Sequence, residues 1–344
     1  MKRILMTGHN GYIGSVMVPH LVGEGYDVTG LDTGYFSDCT LVPDAVKIPE
    51  IRKDLRDLTA KDVEGFDAVI HLAALSNDPI GNLNDSWTED INFRASVKLA
   101  ELARDAGVKR YLFSSSCIMY GASNTLVVTE ESPLDPKTEY ARSKVKAEDA
   151  IRLLARDGFS PVFIRNGTVY GISPRMRFDT VLNDLTGQAA TTGKVIIYSD
   201  GKPWRPVMHV QDVARYFQAF LEAPVAKIHN QAFNSGANEL NHQIIELAEI
   251  AVKTVPGAKL EIKTKPGADQ RTYKADFGKF ARTFPDFRFK WNATTGANEL
   301  YEAFKRVSLT HEDYVSSKFT RLKWLNHLME SKRLNDALRW SKNS

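Results

Sequence analysis

The most constraining stretch lies near the start of the chain. A short apolar strand, Arg3-Ile4-Leu5-Met6-Thr7, runs into Gly8-His9-Asn10-Gly11-Tyr12-Ile13-Gly14 and then a helical run from Ser15 to Glu24. Glycines at this spacing between a strand and a helix have distinct jobs: Gly8 permits a tight turn, Gly11 lets the backbone approach a pyrophosphate, and Gly14 lets the helix pack close to the strand. The helix N-terminus, with Asn10, Tyr12 and Ile13 in the same turn, offers free N–H groups and a partial positive charge to phosphates. A glycine triplet alone is also what a plain surface turn contains, so the segments that follow have to decide.

They favour a dinucleotide. A second strand, Asp27 to Leu31, ends at Asp32. That is about twenty residues past the turn, where a carboxylate holds the adenosine ribose hydroxyls. An acid there repels a 2′-phosphate, which favours NAD over NADP. A third signal spans Ile51 to Asp57, where Asp54-Leu55 reads either as an adenine clamp or as turn chemistry. A fourth is the strand Ala68 to Leu72, whose end at Ala73-Ala74 would let a backbone lie along the cofactor. Alternating strands and helices of this kind predict an α/β fold, a doubly wound parallel sheet with ligands at the carboxyl ends of its strands.

Composition removes other classes. The 344 residues are 43% hydrophobic and 25% charged with a net charge of +3, so no basic field for nucleic acid is implied. No apolar run reaches the roughly 18 residues that cross a bilayer. Cys39 and Cys117 make no disulfide framework, which fits a reducing cytoplasm.

The next strand, Lys109 to Phe113, ends in Ser114-Ser115-Ser116-Cys117-Ile118-Met119-Tyr120-Gly121. Further on, Tyr140-Ala141-Arg142-Ser143-Lys144 lies in a helical stretch, and residues four apart share one helix face. A cation beside a phenol favours the phenolate, which makes Tyr140 a candidate general base. A hydroxyl from the preceding strand end would bind the same substrate oxygen. The same Tyr–Lys spacing recurs at Tyr198/Lys202 and Tyr301/Lys305. Only Tyr140/Lys144 follows both a glycine turn and a serine-bearing strand end.

Together, Thr7-Gly8-x-x-Gly11-x-x-Gly14, Asp32, Ser116 four before Tyr120-Gly121, and Tyr140-x-x-x-Lys144 resemble the extended short-chain dehydrogenase/reductases, the NAD-dependent nucleotide-sugar epimerases and dehydratases. The resemblance covers about residues 1–290. It implies a Rossmann domain carrying NAD (1–166 and 207–236), an interleaved smaller domain gripping the nucleotide sugar (167–206 and 237–310), and a helical tail (311–344). It implies that Ser116, Tyr140 and Lys144 are catalytic, and that Leu72, Ala73, Ala74, Asn92 and Ser114 join the glycine turn, Asp32, Asp54 and Leu55 around the cofactor. Asn92 read without the resemblance is a polar residue in the helix Asn92 to Ala106.

On the substrate side the resemblance points to Arg205, within Pro203 to Val210, and to Arg271 as diphosphate ligands, since guanidinium forks match phosphate oxygens. Arg271 is otherwise a solvated loop charge. Tyr198 would stack on the nucleobase or pack in the core, and Asn183 would bond the nucleobase or ribose. The family often has an asparagine where this chain has Thr168, so either Thr168 or Asn166 makes that contact. Ser76, Asn77 and Asp78 follow the Ala73-Ala74 strand end; they would read sugar hydroxyls or simply form a turn.

The 4,6-dehydratases carry an Asp-Glu pair after the catalytic threonine; here Cys117 and Ile118 fill those positions, and isoleucine can neither take nor give a proton. Cys117 is either a substrate-side acid/base or a small buried residue. What remains suffices for NAD-dependent epimerisation of a nucleotide sugar at C4 through a 4-keto sugar. The alternatives are a keto-sugar 3,5-epimerase, a reductase or an atypical dehydratase using Cys117 or Asp78, and a redox-silent NAD-binding scaffold. Glu299 to Val307, Leu322 to Met329 and Leu334 to Trp340 read as amphipathic helices of the late chain. Relatives pair the helices corresponding to 88–106 and 139–157, so a homodimer is expected.

Overall fold

The computed structural model describes residues 2–76, 84–121, 125–263 and 272–341. Its strands are β1 (Arg3–Thr7), β2 (Asp27–Asp32), β3 (Glu50–Arg52), β4 (Ala68–His71), β5 (Arg110–Ser116), β6 (Val127–Val128), β7 (Ser160–Asn166), β8 (Thr168–Tyr170), β9 (Lys194–Ile197), β10 (Trp204–His209), β11 (Gln231–Ser235), β12 (Asn241–Gln243), β13 (Lys259–Ile262) and β14 (Lys274–Ala275). Seven of them form one parallel sheet in the order β11-β7-β5-β4-β1-β2-β3. The order reverses between β1 and β4, where a crevice opens at the strands' carboxyl ends. This is the expected doubly wound architecture.

Both faces of the sheet are covered, which is why the middles of its central strands are apolar on both faces rather than alternating, with polar residues gathered toward their ends. β4 is buried along its whole length, and β7 likewise. Ile4 and Met6 face one core and Leu5 the other, as the two-residue period of a strand requires. The remaining strands make smaller sheets, β12-β10-β8, β13-β9 and β14-β6, beside the carboxyl edge of the large one.

Two local expectations are corrected. Asn92 does not open a helix; it lies inside a π-helical turn, Glu89–Arg94, that leads into the helix Ala95–Asp105. Leu334 to Trp340 is not helical. The Asn335 side chain accepts from the N–H groups of Ala337 and Arg339, Leu338 sits at a φ of 52°, and the segment closes as a turn through a Leu334–Trp340 bridge. An asparagine that bonds its own backbone ahead competes with helix, and here that local bond wins. The helix before it, Arg321–Glu330, forms as expected.

Candidate active site

A cleft of about 650 Å³ runs along the carboxyl ends of β1, β2, β4 and β5. Its first wall is the glycine turn. Gly8 has a φ of 74°, and a Cβ there would come within 2.7 Å of the Ala73 nitrogen. At Gly14 a Cβ would lie 2.3 Å from the Gly8 carbonyl oxygen. At Gly11 the nearest atom to such a Cβ is the Gly8 oxygen at 3.1 Å. Gly11 lines the cleft, so a bare backbone faces it. The helix Gly14–Gly23 starts here with no side-chain cap; the Ser15 and Val16 N–H groups turn back to the Gly11 and Ile13 carbonyls, and Tyr12, Ile13 and Gly14 line the cleft ahead of them at the positive end of the helix.

Asp32 lines the same cleft. Its carboxylate accepts from the N–H groups of Gly34 at 2.7 Å and Asn10 at 3.2 Å. Burial raises its pKa against the pull of those two bonds. The uncapped helix start, the open backbone at Gly11 and a positioned carboxylate at the end of β2 fit the diphosphate and ribose of a dinucleotide. Tyr12, Ile13, Leu55, Leu72, Ala73 and Ala74 complete this part of the lining.

Ser116, Tyr140 and Lys144 all line the cleft further along. The helix Glu139–Arg152 is capped by Thr138, whose hydroxyl accepts from the Ala141 N–H. It carries Tyr140 and Lys144 on one face. The Lys144 ammonium donates to the Ser114 carbonyl at 2.8 Å, and its Nζ lies 5.9 Å from the centre of the Tyr140 ring. Burial, partly offset by Glu148, lowers its pKa to about 8. Ser116 ends β5 and accepts from the Ile118 N–H at 3.3 Å. That bond does not consume the hydroxyl proton, so Ser116 can still donate to a substrate oxygen.

Neighbours in sequence separate sharply here. Ser116 and Ile118 line the cleft, whereas Cys117 is fully buried in the core. The Cys117 thiol donates to the Arg165 carbonyl at 3.3 Å, and burial pushes its pKa far up. Cys117 is therefore a small buried residue rather than a lining one, and the alternative reactions lose the route through Cys117 and keep the one through Asp78, which lies outside the described residues.

Other expected ligands are likewise spent inside the protein. Asn183 is fully buried: its carbonyl accepts from the Gly171 N–H, and its amide donates to the Tyr12 hydroxyl and the Arg177 carbonyl, each at 2.9 Å. It orders the loop after β8 rather than touching a nucleotide. The Asn10 amide oxygen accepts from Arg175. Asn92 is fully buried and bonds both the N–H and the C=O of Leu75, so it positions the loop after β4 instead of lining the cleft. Asp54 lines the cleft but its carboxylate caps the turn Leu55–Asp57 and pairs with Arg56. Burial alone would raise that carboxyl; the Arg56 bonds and charge outweigh it and hold it low. Asn166 reaches the cleft, yet its amide donates to Ser114 Oγ and the Ser115 carbonyl, bracing the end of β5.

Ser76, Ser114, Thr168, Tyr198 and Arg205 line the cleft as expected. Tyr198 is 45% exposed, which excludes plain core packing. Asn77, Asp78 and Arg271 lie outside the described residues. Arg177 and Arg321 were not anticipated. Arg177 lines the cleft, pairs with Asp179 at 2.7 Å and donates to Ser76 Oγ at 3.0 Å. Its signal was available in the Arg175-Met176-Arg177 run after Tyr170-Gly171. Arg321 comes from the tail, and nothing local marks it. Among the described residues no group of three His, Cys, Asp or Glu side chains is placed to hold a metal ion, and no helix is long and apolar enough to cross a membrane.

The fold and cleft are those of a dinucleotide-dependent enzyme, and one cleft gathers Ser116, Tyr140 and Lys144. A profile of the NAD dependent epimerase/dehydratase family matches residues 4–236, and the chain belongs to that family. It is an NAD-dependent, nucleotide-sugar-modifying enzyme of the epimerase/dehydratase type. The UDP-glucose 4-epimerase of Corynebacterium glutamicum is 27% identical over 281 residues, spanning 77% of this chain and 83% of that one. The solved structure of MoeE5 in complex with UDP-glucose and NAD aligns with a TM-score of 0.76 at 26% identity, covering 90% of this chain and 100% of that one. TunA, a novel NAD dependent-NDP-hexosamine 5,6-dehydratase involved in tunicamycin biosynthesis, aligns with a TM-score of 0.78 at 24% identity over 89% of this chain and 98% of its own, a likeness of fold.

Proposed function

We propose that this enzyme epimerises a nucleotide-diphosphate sugar at C4 through a 4-keto sugar. The observation that carries the reading is the placement of Ser116, Tyr140 and Lys144 in one cleft while Cys117 points into the core. The described carboxylates of the lining have other work: Asp179 pairs with Arg177, and Asp184 accepts from Tyr314 and Gln188. A 4-epimerase needs no acid/base pair beyond the serine–tyrosine–lysine set. The names of relatives make a uridine diphosphate hexose the first substrate to try.

In this reading Tyr140 takes the proton of the C4 hydroxyl and later returns one to the same oxygen. Ser116 donates to that oxygen and holds it against Tyr140. Lys144 keeps a positive charge beside the phenol, and its bond to the Ser114 carbonyl sets its position. Arg205, in the cleft, would take the diphosphate, and Tyr198 the nucleobase. NAD bound along the glycine turn and Asp32 supplies the hydride acceptor and donor.

NMR of the enzyme with a panel of nucleotide sugars in deuterated water tests this. The expected result is interconversion of two C4 epimers, with no deuterium at C3 or C5 and no added NADH. Deuterium at C3 or C5, or a stoichiometric need for NADH, overturns it. Tyr140→Phe is expected to lower turnover about a thousandfold without changing the melting temperature. Cys117→Ala should leave turnover where it was.

A further inference from the structure

The described tail, residues 311–341, divides: Tyr314 and Phe319 pack against Phe178 in the main core, and the chain from Arg321 onward forms a separate contact. That second part reaches back to the segments that follow β2, β3 and β4. Trp324, Leu325, Leu328, Leu334 and Leu338 form a third hydrophobic cluster, apart from the two that flank the sheet. Their partners are Tyr35 and Cys39 from the loop after β2, and Leu75, Trp87 and Ile91 from the segment after β4.

Polar contacts follow the same line. The Trp340 indole N–H donates to the Thr33 carbonyl and the Trp324 indole N–H to the Tyr35 carbonyl, both at 2.7 Å. The Tyr35 hydroxyl donates in return to the Leu338 carbonyl. Arg56, already paired with Asp54, donates to the carbonyls of Ala337 and Leu338 at 2.7 and 3.0 Å. Arg339 pairs with Asp57 and, at 3.3 Å, with Asp54.

The segments gripped in this way include Thr33, Tyr35, Asp54 and Leu75, each of which lines the cleft. The residues that follow β2 and β3 surround the adenosine of a bound dinucleotide in a sheet of this order. The regular elements among these segments are short, the turn Leu55–Asp57 after β3 and the turns Asp85–Thr88 and Glu89–Arg94 after β4, and the tail backs all of them.

We propose that the tail is a positioning element of the cofactor site, which shapes the adenosine subsite from behind and sets how long NAD stays bound. NAD leaves slowly while the tail is docked and quickly once it lifts. This holds whichever carbon of the sugar the enzyme changes, because the retention of NAD is read without turnover.

The test is exchange of bound NAD against excess isotope-labelled NAD, followed by mass spectrometry on the full-length protein. Trp340→Ala removes the bond to Thr33 and the ring packed 5.8 Å from Tyr35. It is expected to speed exchange at least tenfold while turnover at saturating NAD stays within twofold. Trp340→Phe keeps a ring and should fall between it and wild type. Arg339→Gln, a surface change that spares folding, should speed exchange severalfold. Phe287→Ala, in the separate aromatic cluster with Phe280 and Phe289, controls for general destabilisation and should leave exchange unchanged. Exchange within twofold of wild type in the tail variants overturns the proposal. So does equal acceleration by Phe287→Ala.

Discussion

The two edges of the cofactor cleft are built by opposite means. The diphosphate edge is made of backbone, from residues within one turn, braced by the end of β4. Its fit depends on side chains that are absent: a Cβ at Gly8 or Gly14 would overlap main-chain atoms. The adenosine edge is made of side chains, and its backing comes from residues roughly three hundred positions later, as the Thr33–Trp340 and Tyr35–Leu338 bonds show. A turn closed by its own neighbours has little freedom to open. An edge backed by a docked segment with a cluster of its own can open separately from the rest, because local stability follows the contacts of each cooperative unit.

The comparison breaks most readily at the glycine edge. In Gly14→Ala the new methyl would lie 2.3 Å from one backbone oxygen and 2.6 Å from the Cα and the oxygen of His9. Main chain cannot swing aside as a flexible side chain can. The variant is expected to purify without NAD and to lose about 3 kcal/mol of stability, read from the absorbance of bound cofactor and from denaturant unfolding. Retention of NAD would mean that the turn is looser than its geometry. At the other edge, Trp324→Ala removes a buried indole and its bond to the Tyr35 carbonyl, a loss of about 3 kcal/mol. Hydrogen exchange should then rise across 321–341 and leave β1 to β5 protected. If the whole chain melts together, the tail belongs to the main core and the two edges do not differ in kind.

The same contrast explains what could be read beforehand. The strand, the glycine turn, Asp32 and the Tyr140/Lys144 face are local patterns, each fixed by a few adjacent residues and a known period, and all stand where the pattern put them. The end of β5 was legible only in part: Ser114, Ser115 and Ser116 all reach the cleft, and it is the turn Cys117–Tyr120, not strand alternation, that carries Cys117 into the core. Asn10, Asn92 and Asn183 carry amides suited to a ligand, but each is consumed by backbone or side chains brought up from elsewhere in the fold. A buried amide must be satisfied, and only tertiary structure decides by what. Asp54 shows both outcomes at once, lining the cleft while its carboxylate serves Arg56. The tail was least legible, because an apolar face on a helix says that it docks and not where. Arg321, buried against Phe36 and donating to the Arg175 carbonyl, is visible only once that docking is known.

Where the two edges meet, the loop at Leu75 is held from both sides. Leu75 belongs to the tail's cluster, and its N–H and C=O are both bonded by Asn92. Asn92→Ala strands those two backbone groups and is expected to cost about 2 kcal/mol, seen as faster amide exchange at Leu75 before any change in the glycine turn. An unchanged Leu75 amide would mean that the tail's cluster and the Arg177–Ser76 bond hold Leu75 without Asn92.

The smallest effect concerns a charge beneath the catalytic end of the cleft. Lys144 keeps its proton up to a pKa of about 8 in the folded protein, against 10.5 as the ordinary value, because burial disfavours the ammonium. Between those two pH values the unfolded chain binds more protons than the folded one, so stability rises with pH through the window. The slope from this group is below about 1.4 kcal/mol per pH unit, the limit for one proton. Denaturant unfolding of the wild type from pH 7.5 to 10, set against Lys144→Met, isolates it: the wild-type curve should climb relative to the variant above pH 8. Parallel curves would mean that the Ser114 carbonyl and Glu148 hold the ammonium as well as water does. The charge beside Tyr140 would then persist to much higher pH.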